Sequence, residues 1–221
     1  MGIFKTIIED LSQPKAQDPA YRSCVDLLFN YPGVWAVINH RFIHALWIRK
    51  WHRLARILAG ISNFLTRVDL HPAAVVGKRV FIDHATGIVI GETAIIGNDC
   101  LIYQGVTLGG VSLDKGKRHP TLEDGVVVGA GAKILGNITI GKGSKIGANS
   151  VVVKDVPPNS TAVGIPAKCV SSNNRPFEHN KLPDITKELL IYLIEKVENL
   201  ECQNSTQLDK KYQEYIKSIK E

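Results

Sequence analysis

Asp83 and His84 interrupt an otherwise regular stretch, FIDHATGIVIGETA, that runs from Phe81 to Ala94. Histidine titrates near neutral pH, so it can take a proton from an alcohol and later return it. A carboxylate on its second ring nitrogen fixes the tautomer and steadies the imidazolium. Asp69 and His71 stand upstream in VDLHP, and downstream the stretch Gly110–His119 (GVSLDKGKRH) ends in an Arg118-His119 pair. The planar fork of Arg118 matches a carboxylate through two parallel hydrogen bonds. One imidazole, two carboxylates and an Arg-His pair suit proton transfer on a zwitterionic substrate. Singly, each has a plainer role: a surface histidine at 84, a cap on a helix-to-coil junction at 69, a solvated loop charge at 118. His71 and His179 read as structural.

The elements that must position these residues follow from hydrophobic spacing. Leu70, Val76 and Ile82 are six apart, as are Ile90, Ile96, Ile102 and Leu108, and again Leu122, Val128, Ile134, Ile140, Ile146 and Val152. Glycine follows the anchor at 77, 91, 97, 109, 129, 141 and 147, where it lets the backbone turn a corner. A six-residue period predicts a parallel β-helix, in which each hexapeptide supplies a short strand and a turn and the coils bury each other's aliphatic face. The two breaks in the beat, at Asp83-His84 and at Gly110–His119, gain the stack nothing, and such departures mark functional places. With three hexapeptides to a coil, rotation of faces from Leu70 puts Ile82 on the third face, Leu108 on the first and Leu122 on the second. His84 and the Gly110–His119 excursion then lie on opposite sides of the prism.

Upstream of this run the spacing is helical: residues 3–12, 19–29, and Gly33 to Val68, with Val34, Ile38, Phe42 and Leu46, then Leu54, Leu58, Ile61 and Leu65, on one stripe. Trp47, Arg49, Lys50 and Trp51 read more simply as a helix packed on a neighbour than as a membrane-surface helix. Downstream, SSNNRPFEHNKLPD is a linker, and Leu190, Leu193, Val197 and Leu200 form the narrow seam of a C-terminal helix. The expected organisation is therefore an all-helical N-terminal domain (1–68), a hexapeptide-repeat β-helix (69–170), and a linker with a C-terminal helix and tail (171–221). The net charge of +6 is spread as +4 over residues 1–69, +3 over 70–170 and −1 over 171–221, too thin for a nucleic-acid stripe but compatible with a small polyanionic ligand. The sequence predicts neither a membrane span nor a signal peptide, and MGIFKT matches a myristoylation pattern too short to weigh. Cys24, Cys100, Cys169 and Cys202 have neither disulfide nor zinc spacing, which points to free thiols in the cytoplasm.

VDLHPAAVVG, FIDHATGIVIGETA, YQGVTLGG, GKRHPTLEDGVVVGAGAKILGNITIG and VGIPAK together resemble serine O-acetyltransferase, over about Asp18 to Lys168. The resemblance implies a left-handed β-helix and transfer of acetyl from acetyl-CoA to the L-serine hydroxyl, the entry to cysteine biosynthesis, with no metal. It implies His84 as general base, Asp69 as the carboxylate that orients it, and Asp18, Asp83, Arg118 and His119 as the serine-binding set. It also implies acetyl-CoA along the coils near Gly110, Ala130, Lys145 and Ala148, with inhibition by L-cysteine and a trimer or dimer of trimers. Two departures stand out. The N-terminal region is shorter than in the long enzymes whose extra helices join two trimers. The chain also ends Ile219-Lys-Glu where the family's tail ends in isoleucine, which speaks against docking into cysteine synthase. Two rivals share the repeat: an acetyltransferase for sugar or antibiotic hydroxyls, which needs no anion clamp, and a γ-carbonic anhydrase, which needs a third histidine where Glu123 and Asp124 stand.

Overall fold

The computed structural model describes residues 3–170 and 190–197. Five helices come first: α1 (Ile3–Leu11), α2 (Gln13–Gln17), α3 (Cys24–Phe29), α4 (Pro32–Ile48) and α5 (His52–Thr66). A left-handed parallel β-helix of about five coils follows. Its first face is β1 (Val68–Leu70), β4 (Ile88–Ile90), β7 (Thr107–Gly109), β10 (Lys133–Leu135) and β13 (Val151–Val152). The second is β2 (Val75–Val76), β5 (Ile95–Ile96), β8 (Thr121–Leu122) and β11 (Thr139–Ile140). The third is β3 (Phe81–Ile82), β6 (Leu101–Ile102), β9 (Val127–Val128), β12 (Lys145–Ile146) and β14 (Thr161–Gly164), closed by the antiparallel β15 (Ala167–Val170). Ile82, Leu108 and Leu122 thus stand on the third, first and second faces, as the rotation of anchors requires.

Every anchor from Leu70 to Val152 is buried except Val76, which is partly covered. A second buried position, two residues before the anchor, is not announced by the sequence: Ala74, Val80, Ala94, Cys100, Val106, Val126, Ala132, Ser144 and Ser150 line the corners. The glycines after the anchors have a different cause from the one expected. Gly97 does not adopt a positive φ; a Cβ there would stand 2.7 Å from Asp124 N, in the coil above. The left-handed turns fall two residues later, at Arg79 and Asp99 for example. Close stacking of coils, rather than a turn, requires glycine at Gly97.

The helices close the first coil. A Cβ on Gly33 would sit 2.1 Å from the carbonyl oxygen of Ile82, so only glycine lets α4 start against β3. Val37 enters the coil's core, while Val34, Ile38, Tyr31 and Phe81 make a second cluster. Arg41 bridges Asp10 of α1 to the carbonyls of Val76 and Gly77, satisfying backbone acceptors at the open end of the stack. His40 is a core histidine: its Nε2 meets the Ala74 carbonyl at 3.0 Å, and burial pushes its pKa down to about 3. Two expectations change. The stretch from Gly33 to Val68 is a hairpin of two helices, broken at Arg49–Trp51 where Lys50 turns left-handed. Helix 19–29 shrinks to α3, whose start is set by the capping box that Ser23 forms with Asp26. Leu54, Ile61 and Leu65 of the expected apolar stripe are exposed, together with Ile57 and Phe64.

The contacts divide the chain at Pro176 into two units. In the second, residues 190–197 are helical, with Leu190, Leu193 and Val197 exposed. Leu200, His179 and the Ile219-Lys-Glu terminus lie outside the described residues. Among the described residues no helix is long and apolar enough to cross a membrane.

Candidate active site

The turn from the third to the first face is where the beat slips, and its backbone is strained. His84 and Ala85 both take positive φ, 58° and 59°, with Ala85 N–H donating to Asp83 O and Thr86 N–H to His84 O. Left-handed non-glycine residues cost of order 1–3 kcal/mol each and survive where the surroundings over-determine them. The turn lifts the His84 imidazole into solvent: its side chain is 72% exposed, with Nε2 3.9 Å from Asp83 Oδ2, beyond hydrogen-bond length. Asp83 is partly buried, and desolvation raises its pKa, an effect that neighbouring His84 opposes and Asp18 reinforces.

Asp18 reaches the same corner from the helical segment. It caps α2 and bends the chain so that Ala20 N–H donates to Oδ1 at 2.7 Å, while Tyr31 OH donates to Oδ2 at 2.6 Å. These donors hold its carboxyl below the usual carboxylate range, the tyrosine contributing most. The two carboxylates are thereby pushed apart in pKa, Asp18 down and Asp83 up.

The turn from the first to the second face holds the other group. Thr93 organises it: its Oγ1 accepts the amides of Arg118 and His119 at 3.0 and 3.1 Å. Its amide donates to His119 Nδ1 at 3.2 Å, and its hydroxyl meets the same nitrogen at 2.9 Å. With Nδ1 used as acceptor, the ring proton of neutral His119 sits on Nε2, leaving an N–H donor. Burial, then the charges of Arg118 and Lys117, lower the His119 pKa. Arg118 Nη2 contacts Glu92 Oε2 at 2.5 Å, and Arg118 holds Glu92 below the usual range. Gly91 makes room: a Cβ would stand 2.0 Å from His119 Nε2. His71 belongs here too, edge-on to Trp47 and in the fields of Glu92, Asp69 and His119.

Asp69 lies outward on β1, opposite Val89, and among the described residues no hydrogen bond or ion pair joins it to His84. The chain brings together Asp18, Asp83 and His84 at one corner, and Asp69, Arg118 and His119 on the first face and its far corner. Ala130 and Ala148 sit on His84's corner in higher coils, tied upward by Gly105 N–H to Thr86 O, Gly131 N–H to Gln104 O and Asn149 N–H to Ala130 O. At about 4.8 Å per coil, Ala148 stands roughly 14 Å above His84. Lys145 is on the adjoining β12, and Gly110 lies beside Arg118 and His119 at the opposite corner. Sequence reasoning missed Glu92, Thr93 and Tyr31. The first two had a signal in their place, at the corner one coil below the excursion; Tyr31 had none.

The bacterial transferase hexapeptide (six repeats) family matches residues 119–154. The serine acetyltransferase of Bacillus pumilus is 49% identical over 201 residues, covering 89% of this chain and 93% of that protein. Among solved structures, Neisseria gonorrhoeae serine acetyltransferase in complex with serine is 47% identical with a TM-score of 0.73, over 76% of this chain and 69% of that one. A serine acetyltransferase in complex with cysteine is 45% identical with a TM-score of 0.75, over 78% of this chain and 67% of that one.

The His119 arrangement predicts a neutral Nε2–H tautomer at pH 7 that titrates only below the usual 6.5. Imidazole ¹⁵N shifts should report that single tautomer in the wild type and also in Thr93→Val, because the amide of residue 93 still donates to Nδ1 when the hydroxyl is gone. A protonated Nδ1 in the neutral ring of the wild type contradicts the assignment.

Proposed function

The chain belongs to the serine acetyltransferase family, and on that premise we propose how its residues divide the work of moving an acetyl group from acetyl-CoA to the hydroxyl of L-serine. The single observation that carries the reading is the exposed imidazole of His84 on a strained turn, beside Asp83 and within the field of Asp18. His84 takes the serine hydroxyl proton as the oxygen attacks the thioester carbonyl, and returns it to the CoA sulfur when the tetrahedral intermediate collapses. Asp18 and Asp83 receive the substrate ammonium. An arriving cation favours the ionised form of Asp83, whose pKa burial raises and the charge of Asp18 raises further. Arg118 and the Nε2–H of His119 receive the substrate carboxylate. Acetyl-CoA runs up the corner above His84, past the backbone of Ala130 and Ala148, with Lys145 near a phosphate and Gly110 facing it from the other side.

Both halves can touch one serine only if they come from neighbouring chains, because one whole face of the prism separates them within a chain. A closed ring of three supplies that neighbour at each corner. In the same ring Asp69 approaches His84 from the adjacent chain, which fits an imidazole that has no hydrogen-bonded carboxylate among the described residues of its own chain. The exposed Leu54, Ile57, Ile61, Phe64 and Leu65 of α5 support burial against another chain. L-cysteine presents the same ammonium and carboxylate as serine, so it inhibits by occupying the serine site; a related enzyme is known with cysteine bound. Free Cys24, Cys100 and Cys169 support a cytoplasmic location.

His84→Ala should lower kcat by roughly 10²–10⁴ while acetyl-CoA affinity barely changes. Near-normal turnover by that variant excludes His84 as the base. Arg118→Ala should weaken serine and cysteine together, with cysteine competitive against serine in the wild type. Cysteine inhibition that survives intact in Arg118→Ala places the inhibitor elsewhere.

A further inference from the structure

Tyr31 has two separable parts. Its ring is core: the residue is 8% exposed, and the ring packs between Tyr21 and Phe81 at centroid distances of 6.2 and 6.3 Å. A phenylalanine would serve that packing equally. The hydroxyl does something else. Tyr31 is the N-cap residue of α4, yet its side chain makes no capping hydrogen bond there; the O–H is spent on Asp18 Oδ2 at 2.6 Å. Among the described residues the Asp18 carboxylate otherwise accepts only from the Ala20 amide, on its other oxygen. The tyrosine therefore fixes the direction of Asp18, and it is the largest cause of the carboxyl's lowered pKa.

The position of Tyr31 is itself fixed from the coil. Two residues on, Gly33 sits against the Ile82 carbonyl, immediately before Asp83. The chain of contacts Asp18–Tyr31–Phe81 thus ties a carboxylate from the helical segment to the turn that carries Asp83 and His84. Tyr31 and Tyr103 both feel the charges of Asp18 and Asp83.

We propose that Tyr31 is a positioning residue for substrate binding: through its hydroxyl it holds the Asp18 carboxylate aimed, so that Asp18 and Asp83 grip the substrate ammonium from two sides. This rests on the reading that Asp18 binds the serine ammonium. Tyr31 touches no reacting atom, so its loss falls on KM for serine, not on kcat.

The test compares Tyr31→Phe, Asp18→Asn and the double variant, each as the full chain, by steady-state kinetics and thermal unfolding. Losing a hydrogen bond to a charged group should raise the serine KM of Tyr31→Phe by about 10-fold or more, up to roughly 150-fold. Its kcat, acetyl-CoA KM and Tm should stay close to wild type. In the Asp18→Asn background the same change should cost less than about twofold, because the two residues act as one unit. Removing the hydroxyl also raises the Asp18 pKa, so the acid-side loss of serine binding, followed by calorimetry without acetyl-CoA, should move to higher pH. If Asp18→Asn raises the serine KM but Tyr31→Phe does not, the role of Tyr31 is wrong and the reading of Asp18 stands. If Asp18→Asn leaves the serine KM unchanged, the reading of Asp18 fails and takes this inference with it. A Tyr31→Phe variant that loses kcat, acetyl-CoA KM and Tm together overturns the proposal in favour of a purely structural role.

Discussion

The backbone of each coil is hydrogen-bonded to the coil below through parallel pairs on three faces, and that stacking dictates where every other group can go. An aliphatic anchor on each face fills the interior, and the residues two before the anchors fill the corners, so the cross-section leaves no space for a ligand. Chemistry is confined to the outside. Because coils superimpose, a side chain's position is set by its place in the three-face cycle. Asp83-His84 and Arg118-His119 break the cycle at different corners, and no rotamer change within one chain can bring them together. In the proposed ring of chains that separation becomes a cleft, with one corner of each prism facing a different corner of the next.

Rigidity of the stack also explains how the helical segment takes part. Arg41 seals the open end by donating to the carbonyls of Val76 and Gly77, and it holds Asp10 of α1. Arg79 adds ion pairs to Glu9 and Asp99. These contacts, with Gly33 against Ile82, fix α4 on the first coil, so Asp18 arrives at the His84 corner from an element that is not free to drift. The electrostatics then differ at the two corners. One presents carboxylates of unequal pKa, Asp18 lowered by the Tyr31 hydroxyl and Asp83 raised by burial. The other presents Arg118 and a neutral His119 as donors. A zwitterion has its ammonium and carboxylate arranged to meet both.

Much of this was legible in the sequence because the repeat is geometric. Six-residue spacing gives the anchors, three anchors give a coil, and the slip at Gly87 does not rotate the count: Ile90, Ile96 and Ile102 resume the first, second and third faces. Asp83, His84 and Arg118-His119 stood out as departures from that beat. What was not legible depended on contacts between coils or between segments distant in sequence. The glycine at 97 answers to the backbone of residue 124, and the buried corner residues look like ordinary small residues. Glu92 and Thr93 acquire roles only because the excursion returns one coil above them. Tyr31 meets Asp18 through a fold of the N-terminal segment that periodicity cannot describe. Asp69 carries a role by resemblance that one chain alone does not complete.

The central claim is that the His84 corner of one chain and the Arg118 corner of its neighbour make one site. Co-expression of His84→Ala and Arg118→Ala chains under separate tags, with purification through both, tests it directly by acetyl transfer to serine. Every doubly tagged ring of three holds both chain types and so has one site in three with both groups intact, and at a serine concentration where each parent turns over slowly the activity should return to about a third of wild type. Doubly tagged rings that remain as inactive as their parents would contradict the shared site.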